Sequence, residues 1–317
     1  MHEPIKPPNL SRRDLLGVAA MGAASAALPV LAAPLHWDEE EVALRGNISQ
    51  SIAHWCFDAV GWTVADTVRA AVALGYKSVE LVDPPDWPLL GENGLTCAIA
   101  LNGMSGAPFL KGLNNLTYHD EVIGNTKKMI DDCSASNGLC KQVIAFTGYK
   151  YRVADDPNSG EISMDEGADN CVKGLSELGS YAIKNNITIS IEMLNTRDDT
   201  HPMKGHPGYQ GDDLDYVADI VKRVNMPNVK LLFDIYHVQI MNGDLIRRIR
   251  QYSDIISHIH TAGNPGRGEL HLTQEINYPD IMKTLLELGY EGYVGQEFIP
   301  TGDPLIGLRR AVLMCDV

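Results

Sequence analysis

Short hydrophobic runs rich in β-branched residues alternate along this chain with longer segments in which apolar residues recur every three to four positions. The first pattern is typical of buried strands and the second of amphipathic helices. Eight runs of the first kind predict strands over 47–56, 77–82, 95–101, 142–147, 187–193, 229–235, 255–261 and 292–298. The segments of the second kind include predicted helices over 64–74, 120–137, 166–184, 213–224, 244–252 and 278–288.

Strands that are separated by helices pair in parallel and are joined by right-handed crossovers. Eight such repeats predict an α/β chain that folds as a (β/α)8 TIM barrel in a single domain, which we place at residues 33–317. A doubly wound open sheet is the alternative architecture. The Gly-x-Gly-x-x-Gly turn that would favour it does not follow the first predicted strand.

The last four predicted strands end in ionisable side chains. In the run 187–192, isoleucines alternate with polar residues, so Glu192 faces the barrel interior at the end of its strand. Asp234, His260 and Glu297 end the next three strands in the same way. Because the carboxyl ends of consecutive barrel strands meet at one rim, we expect these four side chains to lie close together.

Three carboxylates and one imidazole predict a metal site. A buried carboxylate is costly unless it is paired or bound to a cation, and this set places three of them together. Oxygen-rich ligand sets suit Mn2+ or Mg2+, while the histidine also allows Co2+ or Zn2+. We therefore predict that Glu192, Asp234, His260 and Glu297 bind a divalent metal cation.

Further polar residues are expected around this rim. His237 lies just beyond the sixth strand and could point into the barrel mouth, the alternative being a packing residue at the start of a helix. Arg267 follows the seventh strand and could bind a substrate carboxylate or phosphate through its two-pronged guanidinium, the alternative being an exposed loop charge. Glu80 faces inward at the end of the second strand, where a purely structural role and a role in orienting a metal ligand are alternatives. His54 and Asn102 are weaker candidates of the same kind.

Such a site supports enolisation chemistry. A divalent ion can chelate the oxygens of an α-hydroxycarbonyl compound and stabilise the enediolate that forms when the adjacent C–H loses its proton. Glu192 and Glu297 flank the ion and form the natural pair that removes and returns protons. Returning the proton to the neighbouring carbon gives aldose–ketose isomerisation, and returning it to the opposite face of the same carbon gives epimerisation.

The first 32 residues predict an export signal. Arg12 and Arg13 precede an uncharged Ala/Gly/Leu-rich stretch that runs to Leu31 and ends in small residues. The paired arginines resemble a twin-arginine signal, so we expect recognition by the twin-arginine export machinery and a periplasmic or otherwise exported protein. A membrane-spanning helix is the alternative, but the stretch is short and Pro29 breaks it. The mature chain is therefore predicted to have no stable membrane insertion.

The net charge limits which partners the protein can bind. With 26 Lys and Arg against 41 Asp and Glu, the formal charge is −15, which disfavours nucleic acid and anionic membranes as partners. The expected partner is instead a small-molecule sugar or hydroxy-keto acid.

The six cysteines include no Cys-x-x-Cys pair. Most of them are expected to be small buried side chains, although an exported protein permits several disulfide pairings.

Several runs of this sequence resemble one enzyme family. They are Leu232–Met241, Ile191–Asp198, Gly263–Arg267, Glu275–Pro279 and Gly295–Glu297. They resemble the hydroxypyruvate isomerase family, which belongs to the xylose isomerase-like sugar isomerase and epimerase barrels. The Asp-Ile-Tyr-His and Glu-Ile-Asn-Tyr-Pro runs carry most of this resemblance.

The resemblance implies a role for each residue of the predicted site. Glu192 and Glu297 match the two catalytic glutamates, which are also metal ligands, and Asp234 and His260 match the other ligands. His237 and Arg267 match positions that contact the substrate.

The activity that the resemblance implies is an isomerase reaction, the interconversion of hydroxypyruvate and 2-hydroxy-3-oxopropanoate (tartronate semialdehyde). Some members carry Gln where this chain has His260, and histidine there is closer to the ketose 3-epimerases, so an exported ketose or keto-sugar 3-epimerase is the alternative. A non-catalytic exported sugar-binding barrel is a third possibility, although binding alone does not need two glutamate bases.

Overall fold

The computed structural model describes residues 43–317. The predicted export signal at residues 1–32 and the predicted domain boundary at residue 33 lie outside this range. Within it the chain forms the predicted (β/α)8 barrel. No helix in this described part is long and apolar enough to span a membrane.

One parallel sheet forms the barrel wall, with the strand order β2-β1-β9-β8-β7-β6-β3. Its strands are β1 Ser49–Ala53, β2 Ser78–Glu80, β3 Gln142–Phe146, β6 Thr188–Glu192, β7 Val229–Asp234, β8 Ile256–Thr261 and β9 Tyr293–Gln296. Each coincides with one of the predicted strands, in the predicted order. A separate antiparallel hairpin, β4 Tyr151–Val153 and β5 Asp156–Glu161, lies in the loop after β3 and was not predicted.

The eighth position of the wall is filled by the predicted strand 95–101, which is irregular. It pairs with its neighbours only through single bridges, from Thr96 to Ser78, from Cys97 to Cys140 and from Ala100 to Val143. Backbone hydrogen bonds still join this segment to both neighbours, for example from Val79 to the carbonyl of Thr96 and from Ile144 to that of Ala100. The bridges nevertheless connect β2 to β3, and the ring of strands is complete.

Nine helices within the described residues surround the sheet. They are α1 Val64–Leu74, α2 Trp87–Glu92, α3 His119–Ala135, α4 Met164–Ala182, α5 Leu214–Val224, α6 Ile235–Met241, α7 Leu245–Tyr252, α8 Tyr278–Glu287 and α9 Pro304–Cys315. The six predicted helices are confirmed, and their ends agree within two residues. Three helices were not predicted. The helices α2 and α6 have six and seven residues, too few to show a helical period. The third, α9, has twelve residues and follows the last predicted strand.

Local sequence signals fix several of these helix ends. At the start of α1, Thr63 and Asp66 form a reciprocal capping box, and Gly75 ends the helix at φ 80°, a conformation that favours glycine. The start of α6 is set differently. Asp234, the last residue of β7, accepts a hydrogen bond from the backbone N–H of His237 and so caps the helix. The end of that strand and the first turn of α6 therefore form one rigid unit.

All six cysteines are buried and free. This agrees with the prediction that most of them act as small apolar side chains.

Candidate active site

The structure brings together the four residues that the sequence selects as metal ligands. Glu192 and Asp234 end β6 and β7, His260 lies in β8, and Glu297 follows β9. One ligand atom from each lies within 4.8 Å of all the others. All four residues are buried, since the most exposed of them, Glu297, has a relative exposure of 5% over the whole residue.

His260 lies at the centre of this cluster. Its Nδ1 atom is 3.3 Å from Oε1 of Glu192 and 3.3 Å from Oε2 of Glu297. The nearest oxygen of Asp234 lies 4.0 Å away. One ring nitrogen of His260 therefore faces all three carboxylates.

The other ring nitrogen of His260 faces Glu80, deeper in the barrel. The Nε2 atom lies 2.9 Å from Oε1 of Glu80, and Nε2 of His258 contacts the same oxygen at 3.2 Å. Burial alone would raise the pKa of Glu80, but the contacts with His258 and His260 outweigh it and lower this pKa to about 2. Ionised Glu80 accepts a hydrogen bond from Nε2–H of His260, which points Nδ1 at the three carboxylates. Burial opposes protonation, but Glu297, Glu192 and Glu80 raise the pKa of His260 well above its usual value, so Nδ1 also carries a proton until a cation displaces it.

The carboxylates repel one another. Burial, and then the charges of Glu297 and Glu192, raise the pKa of Asp234 to about 8. Burial also raises the pKa of Glu192. Three crowded carboxylates and one imidazole nitrogen therefore form a donor set that fits a divalent cation, because such an ion would favour the ionised form of each acid.

Glu297 has fixed partners on both of its oxygens. Its Oε1 accepts a hydrogen bond from Nε1 of Trp55 at 2.9 Å, and its Oε2 accepts one from Nη2 of Arg267 at 2.7 Å. Burial opposes ionisation, yet His260 and Arg267 together hold the pKa of Glu297 well below its usual range. Arg267 is itself held between the rings of Trp55 and Tyr236, each centred 5.3 Å from the guanidinium carbon.

His237 lies in the first turn of α6 and presents a hydrogen-bond donor to the site. Its Nδ1 accepts from the backbone and side-chain nitrogens of Asn195, at 3.1 and 2.7 Å. Burial lowers the pKa of His237 well below its usual value, so the imidazole is neutral and its proton lies on Nε2. This buried Nε2 has no hydrogen-bond partner among residues 43–317.

A cavity of about 380 Å3 opens above the cluster. One part of its wall is apolar, and the other is polar and contains four of the predicted site residues. The apolar part includes Leu81, Leu101, Met104, Pro108, Phe109, Ile144, Phe146 and Leu194, and the polar part includes Glu192, Glu297, His237, Arg267, Lys204, His206 and Trp55. A concave, mixed surface of this size is typical of a small-molecule site.

Two weaker candidates lie away from the cluster. His54 starts the 3-10 turn after β1, and its Nδ1 lies 2.9 Å from Oγ1 of Thr67. Asn102 bonds the backbone of Met104 and Pro108 and shapes the loop that carries them.

Three polar residues of the cavity wall were not predicted: Trp55, Lys204 and His206. The only signal for the last two was the unusual length of the segment 195–210 after the fifth predicted strand.

Comparison with known proteins identifies the family. The family model of xylose isomerase-like TIM barrels matches residues 68–311, most of the chain. The protein therefore belongs to the xylose isomerase-like TIM barrel family.

The relatives that it matches include named isomerases. A 2-oxo-tetronate isomerase of Cupriavidus necator is 33% identical over 255 residues, which cover 77% of this chain and 90% of that protein. A human protein provisionally named hydroxypyruvate isomerase is 29% identical over 254 residues, 78% of this chain and 81% of its own. The hydroxypyruvate isomerase of Escherichia coli is 33% identical over 138 residues, 44% of this chain and 50% of that protein. The predicted enzyme class, an isomerase, is thereby confirmed.

Solved structures agree on the fold. An AP endonuclease of family 2 from Brucella melitensis superposes with a TM-score of 0.68 at 26% identity, covering 82% of this chain and 96% of that one. The IOLI protein, solved with a zinc atom, gives a TM-score of 0.61 at 16% identity over 84% of this chain and 95% of its own. At that identity the second comparison concerns the fold alone.

Proposed function

We propose that this protein is a divalent-metal-dependent isomerase that converts hydroxypyruvate to 2-hydroxy-3-oxopropanoate. The observation that carries the proposal is the cluster of Glu192, Asp234, His260 and Glu297 beneath a cavity that two of them line. The names of the matched relatives support a small hydroxy-keto compound as substrate.

The cation supplies the positive charge that stabilises the oxygens of the substrate as a proton leaves the adjacent carbon. Mn2+ or Mg2+ suits three carboxylate ligands best, with Co2+ or Zn2+ as alternatives. Asp234 and His260 would hold such an ion, and Glu192 and Glu297, which line the cavity, would each contribute an oxygen to it.

The surroundings of the two glutamates lower the pKa of Glu297 and raise the pKa of Glu192. Two acids with separated pKa values suit acid–base catalysis. Glu297 is kept ionised by His260 and Arg267, so it can accept the proton from C3 of hydroxypyruvate. Glu192 has a raised pKa, so its protonated form can donate a proton to C2. The hydroxyl proton of O3 moves to O2 in the same conversion, so C3 becomes the aldehyde, C2 becomes the alcohol, and no proton is gained or lost overall. Only His260 contacts Glu192 by a side-chain hydrogen bond among the described residues, through Oε1, which leaves Oε2 available for this transfer.

His237 and Arg267 are assigned to substrate positioning. The Nε2–H of His237 can donate to a substrate oxygen at the cavity floor, since no described residue accepts it. Arg267 donates a hydrogen bond to the carboxylate of Glu297 and also lines the cavity, where its guanidinium can contact the substrate.

The size of the cavity favours a second candidate substrate. A volume of about 380 Å3 corresponds to roughly a dozen water molecules, more than a three-carbon acid displaces. A four-carbon 2-oxo acid would fill it better and would undergo the same proton transfer. Ketose 3-epimerisation is a further alternative, because histidine at position 260 is closer to the pattern of the ketose 3-epimerases. The −15 charge of the chain opposes nucleic acid as a partner.

Export remains a separate proposal, based on Arg12 and Arg13 ahead of the apolar stretch. Cell fractionation of the wild type and of the double variant Arg12→Lys, Arg13→Lys tests it. Periplasmic protein that depends on the arginines supports twin-arginine export, and an unchanged distribution contradicts it.

Solvent-deuterium incorporation tests the isomerase. The Mn2+-loaded protein is incubated in D2O with hydroxypyruvate, with the four-carbon 2-oxo acid and with common ketoses, and each product is examined by NMR. We expect incorporation that disappears in Glu192→Gln and in Glu297→Gln and persists in the control Glu161→Gln, an exposed residue paired with Lys150. Incorporation that persists in both active-site variants would exclude these glutamates from the reaction.

A further inference from the structure

The long loop between β6 and α5 places a lysine on the wall of the cavity. Lys204 lines this cavity together with Arg267 and Glu297, and it is half-buried. Its backbone φ is 52°, in the left-handed region that lysine rarely adopts. A bulky residue is held in such a conformation only where its surroundings determine it.

The contacts around Lys204 fix this conformation. Its backbone N–H donates to the carbonyl of Thr200 at 3.1 Å, and its own carbonyl accepts from Nη1 of Arg267 at 3.3 Å. The next residue, Gly205, donates to the carbonyl of Asp198 at 2.7 Å. The loop is therefore tied both to itself and to the arginine that holds Glu297.

The ammonium group of Lys204 has no carboxylate partner among the described residues. No ion pair of residues 43–317 includes it. The other cation of the cavity wall, Arg267, is paired with Glu297 at 2.7 Å. Lys204 is thus the one lysine or arginine of the described cavity wall that no carboxylate neutralises.

We propose that Lys204 binds the carboxylate of the substrate, while the reacting carbons lie over Glu192 and Glu297. The inference rests on the proposed isomerase function and adds a substrate class, a hydroxy-keto acid rather than a neutral sugar. A lysine ammonium is a compact point charge on a flexible stem, which allows it to reach acids of three or four carbons. A neutral ketose would leave this charge without a partner in a half-buried site.

A matched pair of substrates tests the role of Lys204. Hydroxypyruvate and dihydroxyacetone differ only in the exchange of a carboxylate for a hydroxymethyl group, and both can undergo the same proton transfer. We expect Lys204→Met to raise the KM for hydroxypyruvate about tenfold or more, the usual effect of losing a charged hydrogen bond. The kcat for hydroxypyruvate and both constants for dihydroxyacetone should stay within about twofold. Lys204→Arg should restore most of the loss, because it keeps the charge.

Binding measurements separate this inference from the isomerase proposal. Calorimetry with D-glycerate and with glycerol, which differ in the same way, needs no turnover. We expect the wild type to bind glycerate more tightly than glycerol. A ratio of the two affinities that falls at least tenfold in Lys204→Met supports the subsite, even if the protein isomerises neither substrate. Equal binding of glycerate by the wild type and Lys204→Met overturns it, even if hydroxypyruvate is isomerised. Lys283→Met, which removes an exposed lysine paired with Asp280 on α8, controls for the change in net charge.

Discussion

The Nε2 atom of His260 lies 2.9 Å from Oε1 of Glu80, while the Nδ1 atom of the same ring faces three carboxylates. One imidazole therefore connects a fully buried acid in the barrel interior to the rim where a cation would bind. The hydrogen bond to Glu80 keeps a proton on Nε2, so Nδ1 is the ring nitrogen that a cation can bind once it displaces the proton there. The availability of Nδ1 as a ligand follows from a residue that lies more than a hundred positions earlier in the chain.

We expect Glu80→Ala to weaken Mn2+ binding about tenfold to hundredfold, the usual range for the loss of a residue that orients a metal-binding histidine. Without the acceptor, the proton of His260 can move to Nδ1 and block the ligand atom. Isothermal titration measures the affinity, and 15N NMR of the imidazole identifies the tautomer. Glu80→Gln keeps a side-chain oxygen at the same position, so its Mn2+ affinity should lie between those of the wild type and Glu80→Ala. Unchanged affinity and tautomer in Glu80→Ala would contradict this role.

Asp234 makes the stability of the metal-free protein depend on pH. Its pKa is raised from 3.8 to about 8, so between these values the native state binds more protons than the unfolded state. The free energy of unfolding that this residue contributes is therefore largest at low pH and is lost as the pH rises through about 8. Denaturant unfolding of the metal-free wild type and of Asp234→Asn should show their difference moving in favour of the variant as the pH rises. A difference that is constant with pH would contradict the raised pKa.

Metal binding near neutral pH should release a proton from Asp234. The cation requires ionised Asp234, so binding near neutral pH displaces the proton that the metal-free protein holds there. Calorimetry of Mn2+ binding in two buffers with different ionisation enthalpies should therefore detect proton release. The release should diminish in Asp234→Asn and above about pH 8. Binding without proton release at pH 7 would show that Asp234 is already ionised.

His237→Phe tests the neutral imidazole as a substrate donor. Phenylalanine retains a ring of similar size beside Tyr236 but removes Nε2–H, and it also removes the Nδ1 acceptor of Asn195. We expect kcat/KM to fall about tenfold or more, since an unmet substrate oxygen costs about 1–3 kcal/mol, while Mn2+ affinity stays near that of the wild type. Steady-state kinetics with parallel metal titration checks both. A loss of metal binding equal to the loss of activity would assign His237 to the metal site instead.

The parts of this site that sequence alone predicts are those that follow from strand periodicity. Glu192, Asp234 and His260 lie at or next to the ends of their strands, so alternation and the common rim of a barrel place them together. The strand 95–101 was predicted from composition, yet it pairs with both neighbours only through single bridges, which composition does not encode. Lys204 could not be predicted, since its place on the cavity wall depends on loop contacts that no local period encodes.

Gly205→Ala tests whether that loop must keep its shape. A Cβ at this position would lie 2.6 Å from the carbonyl oxygen of Asp198 and 2.7 Å from Oδ1 of Asn195, closer than packed atoms approach. One of these groups must move, and both belong to the loop that carries Lys204 and His206. We expect a loss of about 1–3 kcal/mol in the free energy of unfolding and a higher KM for hydroxypyruvate.

A second glycine provides the control. Gly124 lies within α3, where a Cβ would meet nothing within 4 Å, so Gly124→Ala should stabilise the protein by up to about 1 kcal/mol through helix propensity. Denaturant unfolding and steady-state kinetics of both variants separate the two effects. If Gly205→Ala matched the wild type in both measurements, the loop would tolerate displacement, and the position of Lys204 would not depend on its present backbone.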